Sequence, residues 1–181
     1  MAVTMCTSLA ISRQDSPGKN SSVLVLGLGN ILLSDEGVGV HVVQNLQELA
    51  LPCNVEVMDG GTASLDVLLL AQGIEKLMVI DAVRASKEAG TVYNARLKID
   101  EYYKLEQFFS GGNKVSLHQI SLIDALVVSR KMDCAPNEIV IIGVEPEKVD
   151  WGLELTDKVK QKVSKIIDMV LREIENAVHR K

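Results

Sequence analysis

Runs of Val, Ile and Leu alternating with segments of helical spacing constrain this chain more than any other feature. The runs Val23 to Leu28, Val55 to Met58, Leu77 to Ile80 and Ile139 to Val144 are almost continuously apolar. Strands of that kind are covered on both faces. Between the first two, Val38, Val42, Leu46 and Leu49 recur at helical spacing, with His41, Gln44, Asn45 and Glu48 opposite them. An amphipathic helix therefore follows the first strand. The patterns predict shorter helices from Ser64 to Ala71, over Tyr102 to Phe109 and from Gln119 to Lys131, and an extra strand within Gly90 to Leu97. A long helix from Thr156 to His179 would bury Val159, Val163, Ile166, Val170, Ile174 and Val178, with Thr156 as its N-cap. This alternation specifies an α/β fold, a three-layer αβα arrangement with a mainly parallel twisted sheet flanked by helices.

With 181 residues, 47% of them hydrophobic, the chain is long enough for one continuous core. Residues 1–22, "MAVTMCTSLAISRQDSPGKNSS", lack the positive start of a secretory signal, and Ser8 and Ser12 interrupt their apolar patch. They read as a disordered leader, leaving 23–181 as a single α/β domain. A formal net charge of -5 and the lack of a basic cluster argue against nucleic acid as a partner. Cys6, Cys53 and Cys134 are widely separated and odd in number, which suits a reducing cytoplasm and offers neither a disulfide framework nor a cysteine metal knuckle. No apolar run approaches the roughly 18 residues that a membrane helix requires, so no membrane partner is expected.

Open α/β sheets bind ligands beyond the carboxyl ends of their strands. Three acids stand there: Glu36 in the loop after the first strand, Asp59 closing the second in "VEVMDGGT", and Asp81 closing the third in "LMVIDAV". His118, in "KVSLHQIS", stands where the glycine-rich loop "SGGNKVS" enters a helix. That loop, with Asn113 and Lys114, reads as mobile and able to close over a substrate. Each candidate also has a plain structural role. Asp59 and Asp81 would serve as N-caps, and Asp59 as a turn-former before Gly60 and Gly61. Asp35 and Glu36 would complement a helix dipole, while a lone histidine is commonly structural or solvent-facing. His41 and His179, on polar helix faces, are read as structural. Gly27, Gly29 and Asn30 are loop-shapers, since glycine permits close backbone approach or positive φ.

The opening "LVLGLGNILLSDEGVGV" begins like a dinucleotide-binding turn, and Asp59 would then be the ribose-binding acid. Two features oppose that reading. Leu32 stands where G-x-G-x-x-G needs a small residue. Asp35 and Glu36 put fixed anions where a phosphate would meet open N–H groups. Two carboxylates and an imidazole instead make a ligand set for a transition metal with open positions, or a pair that activates water for hydrolysis. Spacing does not choose between these, because Glu36, Asp81 and His118 are far apart in the chain.

The blocks "GLGNILLSDEGVGV", "DGGT", "IDAV", "SLHQIS" and "GVEPE" follow one another in an order and spacing that resemble those of the hydrogenase maturation endopeptidases, over roughly Val23 to Leu171. The resemblance implies an endopeptidase that removes a C-terminal peptide from the precursor of a nickel-iron hydrogenase large subunit once nickel is inserted. It further implies that Glu36, Asp81 and His118 converge as a metal-binding trio. The metal would be nickel contributed transiently by the substrate, with no permanent cofactor. Glu36 and Asp81 are then the catalytic candidates, in an aspartic-type or a metal-assisted mechanism. Gly27, Gly29, Asn30 and Asp59 would shape the loop or contact substrate. The partner would be the large-subunit precursor, and the setting cytoplasmic.

Overall fold

A computed structural model describes residues 22–62, 73–98, 126, 129–130 and 135–178, the side chain of the last excepted. All of the predicted leader but Ser22, the helices over Ser64 to Ala71 and Tyr102 to Phe109, the loop with Asn113 and Lys114, and His118 lie outside the described residues. Of the segment Gln119 to Lys131, Leu126, Ser129 and Arg130 are described, and all three are helical.

Five strands form one sheet: β1 Val23–Leu28, β2 Val55–Gly61, β3 Lys76–Ala82, β4 Val92–Lys98 and β5 Glu138–Val144. Their spatial order is β2-β1-β3-β5-β4, parallel throughout except for antiparallel β4 at the edge. The continuous apolar runs are explained by this placement. Every residue of β1 and β3 is buried, whereas edge strand β4 alternates with polar side chains and is largely exposed.

Period-2 alternation sends each strand's side chains to two cores. Val23 and Val25, Met78 and Ile80, and Val140, Ile142 and Val144 pack on one face against helices α1 (Val38–Gln47) and α3 (Val163–Val178). Leu24, Leu26 and Leu28, Leu77 and Val79, and Ile139 pack on the other face, where they meet Leu126. The sheet is thus flanked by helical residues on both sides, as the alternation predicts.

Several boundaries differ from the sequence reading. Helix α1 ends at Gln47, and Leu49, expected on its buried stripe, is exposed. The amides of Glu48 and Leu49 bond three residues back, to the carbonyls of Asn45 and Leu46, which closes the helix before Leu49 could turn inward. Buried Val43 completes the stripe instead. His41, read on the polar face, is half-buried. Strand β2 runs through the expected turn to Gly61, with a register shift at Gly27/Leu28.

The long C-terminal helix is two helices, α2 (Asp157–Lys160) and α3. The Lys162 amide bonds to the Val159 carbonyl, a tightened i−3 bond, before regular spacing resumes with Ile166 N–H to Lys162 C=O. Thr156 stands at the N-cap without a side-chain capping bond, because its hydroxyl is drawn to Asp35.

Candidate active site

The sheet order creates a crevice. From β1 the chain crosses to β2 on one side, and β3 then lies on the other side of β1, so the connections diverge at the carboxyl ends of β1 and β3. Open α/β folds place their ligands at such a point.

The loop leaving β1 is held against α1 by close backbone contacts. A Cβ on Gly39 would stand 2.2 Å from the Ile80 carbonyl oxygen and 2.3 Å from that of Leu28, so only glycine lets the helix start reach both strands. A Cβ on Gly27 would be 2.3 Å from the Gly39 carbonyl oxygen. Gly29 has φ +129°, a conformation that side chains rarely adopt, and its amide bonds to the Gly61 carbonyl at 2.8 Å. Asn30 Oδ1 accepts the Leu32 amide at 3.0 Å, tightening the turn. Gly39 was absent from the sequence-derived candidates, although "GVGV" contains it, because its necessity comes from two strands distant in the chain.

A one-turn 3-10 segment, Ser34–Gly37, carries the acids. Their roles differ. Asp35 is fully buried. Its carboxylate accepts the amides of Glu147 and Lys148, each at 2.9 Å, the Thr156 amide at 2.7 Å and the Thr156 hydroxyl at 2.9 Å. It is a structural tie between the first loop and the segment after β5, more than the dipole complement that its position suggested. Glu36, next in sequence, is half-buried and supplies negative charge to Asp81.

Asp81 stands one residue before the end of β3 and is 2% exposed. Its Oδ1 accepts the Ala82 amide at 2.8 Å. Its Oδ2 is buried with no hydrogen-bond partner among the described residues. Burial pushes the carboxyl up to about 7, opposed by the Ala82 hydrogen bond and assisted by the charge of Glu36. Among the described residues, no capping bond to a helix explains it. Such a group holds a proton near neutrality, and once ionised it is a buried anion in search of a cation.

Asp59 is exposed in the outer strand β2, and its Oδ1 accepts the Gly61 amide at 2.8 Å. That bond is the local turn chemistry anticipated for it. Of the four sequence candidates, Glu36 and Asp81 converge, Asp59 belongs to the neighbouring strand end, and His118 lies outside the described residues. Among the described residues, no group of three or more His, Cys, Asp or Glu side chains is placed to hold a metal ion.

A buried acid that the sequence reading named only within the block "GVEPE" is Glu145, 6% exposed, directly after β5. Its Oε2 accepts the Ala85 amide at 2.9 Å and a short hydrogen bond from the Tyr93 hydroxyl. Burial and the Glu145 carboxylate both push the phenol of Tyr93 above its ordinary value. Glu145 thereby ties the end of β5 to the loop after β3 and to β4. Beside it opens a polar cleft of about 240 Å³ lined by Arg84, Ser86, Glu145, Pro146, Glu147 and Lys148.

Comparison with known proteins converges on one family. A family model described as hydrogenase maturation protease matches residues 40–173, a span that begins after Glu36 and contains Asp81. The hydrogenase 2 maturation protease of Escherichia coli is 37% identical over 151 residues, covering 82% of this chain and 88% of that protein. The hydrogenase expression/formation protein HupD of Rhodobacter capsulatus is also 37% identical, over 86% of this chain and 72% of its own length. Among solved structures, the hydrogenase maturating endopeptidase HybD from E. coli superposes with a TM-score of 0.77 at 32% identity, covering 86% of this chain and 93% of that one. The [NiFe] hydrogenase maturation protease HybD from Thermococcus kodakarensis gives 0.69 at 27% identity, over 84% and 98%.

Proposed function

The chain belongs to the hydrogenase maturation protease family, and on that premise we propose that it removes a C-terminal peptide from the nickel-loaded large-subunit precursor of a nickel-iron hydrogenase. The observation that carries this reading is the carboxylate pair at the β1/β3 crevice. Asp81 is buried there with an oxygen that has no hydrogen-bond partner among the described residues, and Glu36 adds negative charge. A cation arriving with the substrate relieves both the desolvation of Asp81 and the repulsion between the acids. A polypeptide without such a cation leaves Asp81 only partly ionised near neutrality.

In this reading Glu36, Asp81 and His118 receive the substrate's nickel, which acts as part of the substrate, and the enzyme keeps no permanent metal. Imidazole and carboxylate are suitable donors for nickel. One of the two carboxylates also orients the attacking water and accepts its proton. A metal-assisted variant assigns polarisation of the scissile carbonyl to the bound cation, with the same two acids as its anchors. Gly27, Gly29 and Asn30 hold the loop that aims Glu36, and Asp59, exposed at the next strand end, is a substrate contact. No described helix is long and apolar enough to cross a membrane, and we assign the activity to the cytoplasm, where the precursor is made.

The test follows the mass of a matched large-subunit precursor incubated with the protein, with and without nickel loaded. Loss of a C-terminal peptide from the loaded form alone is the expected outcome. Binding without any mass change would overturn the proteolytic reading and leave a non-catalytic maturation factor. Equal cleavage of both forms would overturn the nickel gate.

A further inference from the structure

Two loops at the carboxyl end of the sheet expose apolar side chains that no core requires. Ile31 and Leu32, after β1, are 41% and 44% exposed, and Trp151 and Leu153, beyond β5, are 76% and 63% exposed. The loops are joined backbone to backbone. Leu33 and Gly152 form a parallel bridge, the Ser34 amide bonds to the Gly152 carbonyl at 2.7 Å, and the Gly152 amide bonds to the Leu32 carbonyl at 3.0 Å. The four side chains therefore stand on one composite ledge.

The ledge is fastened to the candidate active site. Asp35, adjacent to Glu36, holds Glu147, Lys148 and Thr156 through its buried carboxylate, so both ends of the Trp151 loop are tied to the turn that aims Glu36. Exposed charges, Lys148, Asp150 and Glu154, border the apolar residues. An apolar centre with a polar rim is the anatomy of a protein-binding surface, and a tryptophan on a tied loop needs little further ordering when it is covered.

We propose that this ledge docks an apolar segment of the precursor protein next to the bond that is cut; the inference rests on the proteolytic reading above. The occupant follows from continuity. Ile31 and Leu32 lie on the loop that presents Glu36, so a polypeptide whose peptide bond reaches Glu36 and Asp81 runs along that loop. Trp151 and Leu153 extend the contact from the reacting atoms onto the body of the substrate. Recognition is thereby divided: the carboxylates meet the cation, and the ledge meets apolar side chains.

Trp151 is the single tryptophan of the chain, so 5-fluorotryptophan labelling provides one fluorine resonance on the ledge itself. Titrating the labelled, full-length protein with nickel-loaded precursor should shift or broaden that resonance. In parallel cleavage assays, Trp151→Ala and Leu153→Ala should each raise KM by about tenfold with kcat within about twofold, while Trp151→Phe stays near wild type. Circular dichroism and Tm of each variant check the fold. An unmoved resonance at precursor concentrations that are cleaved, or an unchanged KM in both alanine variants, overturns the docking surface. A resonance that moves with the protein's own concentration, with a dimer in sedimentation, overturns it in favour of a second copy. If the wild type binds with a shifted resonance but does not cut, the docking surface stands and the proteolytic reading falls.

Discussion

Asp81 and Glu36 share a crevice, yet their environments differ enough for separate tests. Glu36→Gln and Asp81→Asn should each slow precursor processing by about 10²-fold or more, the range for loss of a general base, measured as single-turnover cleavage. Normal rates in both variants would remove these residues from the mechanism. Asp81 also carries a stability signature. Its carboxyl rises from 3.8 unfolded to about 7 folded, so the folded state binds this proton more tightly. Stability from this group is therefore fully present below about pH 4 and falls as pH rises to about 7. The Tm advantage of Asp81→Asn over wild type should accordingly grow across that window and level off above it. Each kcal/mol recovered is worth about 2–4 °C in a chain of this size. A flat difference between pH 4 and 8 would contradict the assignment. Asp35 shows why neighbours in "SDEG" cannot be exchanged: its four accepted hydrogen bonds place it in the framework, while Glu36 lends its charge to Asp81.

Helix α3 is attached to the opposite end of the sheet by ions. Lys76, at the start of β3, donates to Glu173 at 2.6 Å and to its carbonyl at 3.3 Å, and Arg96 of β4 bridges Glu173 and Glu138. With side chains 6% and 11% exposed, Lys76 and Glu173 form a buried pair. Burial alone would raise the Glu173 carboxyl, but Lys76 and Arg96 together hold it below its ordinary 4.5. Its stabilisation is thus present above about pH 4.5 and is lost as pH falls through the lower folded value. Lys76→Met should cost about 2 kcal/mol near neutrality, because it removes a charged hydrogen bond and leaves the Glu173 carboxylate with Arg96 as its remaining cation. The deficit should narrow below pH 4, as thermal scans across pH would show. The break between α2 and α3 belongs to the same scale. The periodicity of Val159, Val163 and Ile166 is compatible with one helix, and the tightened Lys162 bond is a local event that spacing does not encode.

Across the whole molecule, the proposed chemistry at Asp81 and the ionic anchoring at Lys76 occupy opposite ends of β3. Lys76 and Asp81 are about 17 Å apart along a strand and share no partner in the described residues. Their substitutions should add within about 0.5 kcal/mol in a double-mutant cycle at one pH, and a larger coupling would mean that strain travels along β3. The layers were legible because burial on both faces demands continuous Val, Ile and Leu, and helices against a sheet demand 3.6-residue spacing. The placement of Glu36 in the first loop and Asp81 at the third strand end was legible for a related reason, since a charged residue closing an apolar run has few other places to go. Gly39, the Asp35 tie, the burial of Glu145 and the joining of Leu32 to Gly152 were not, for each depends on groups brought together from separate stretches of chain. The amino-acid sequence by itself determined the strand and helix periods, and through its motif blocks the family. Only the tertiary structure decided which acid became framework and which lends its charge to Asp81, because burial and hydrogen-bond partners are set by neighbours in space.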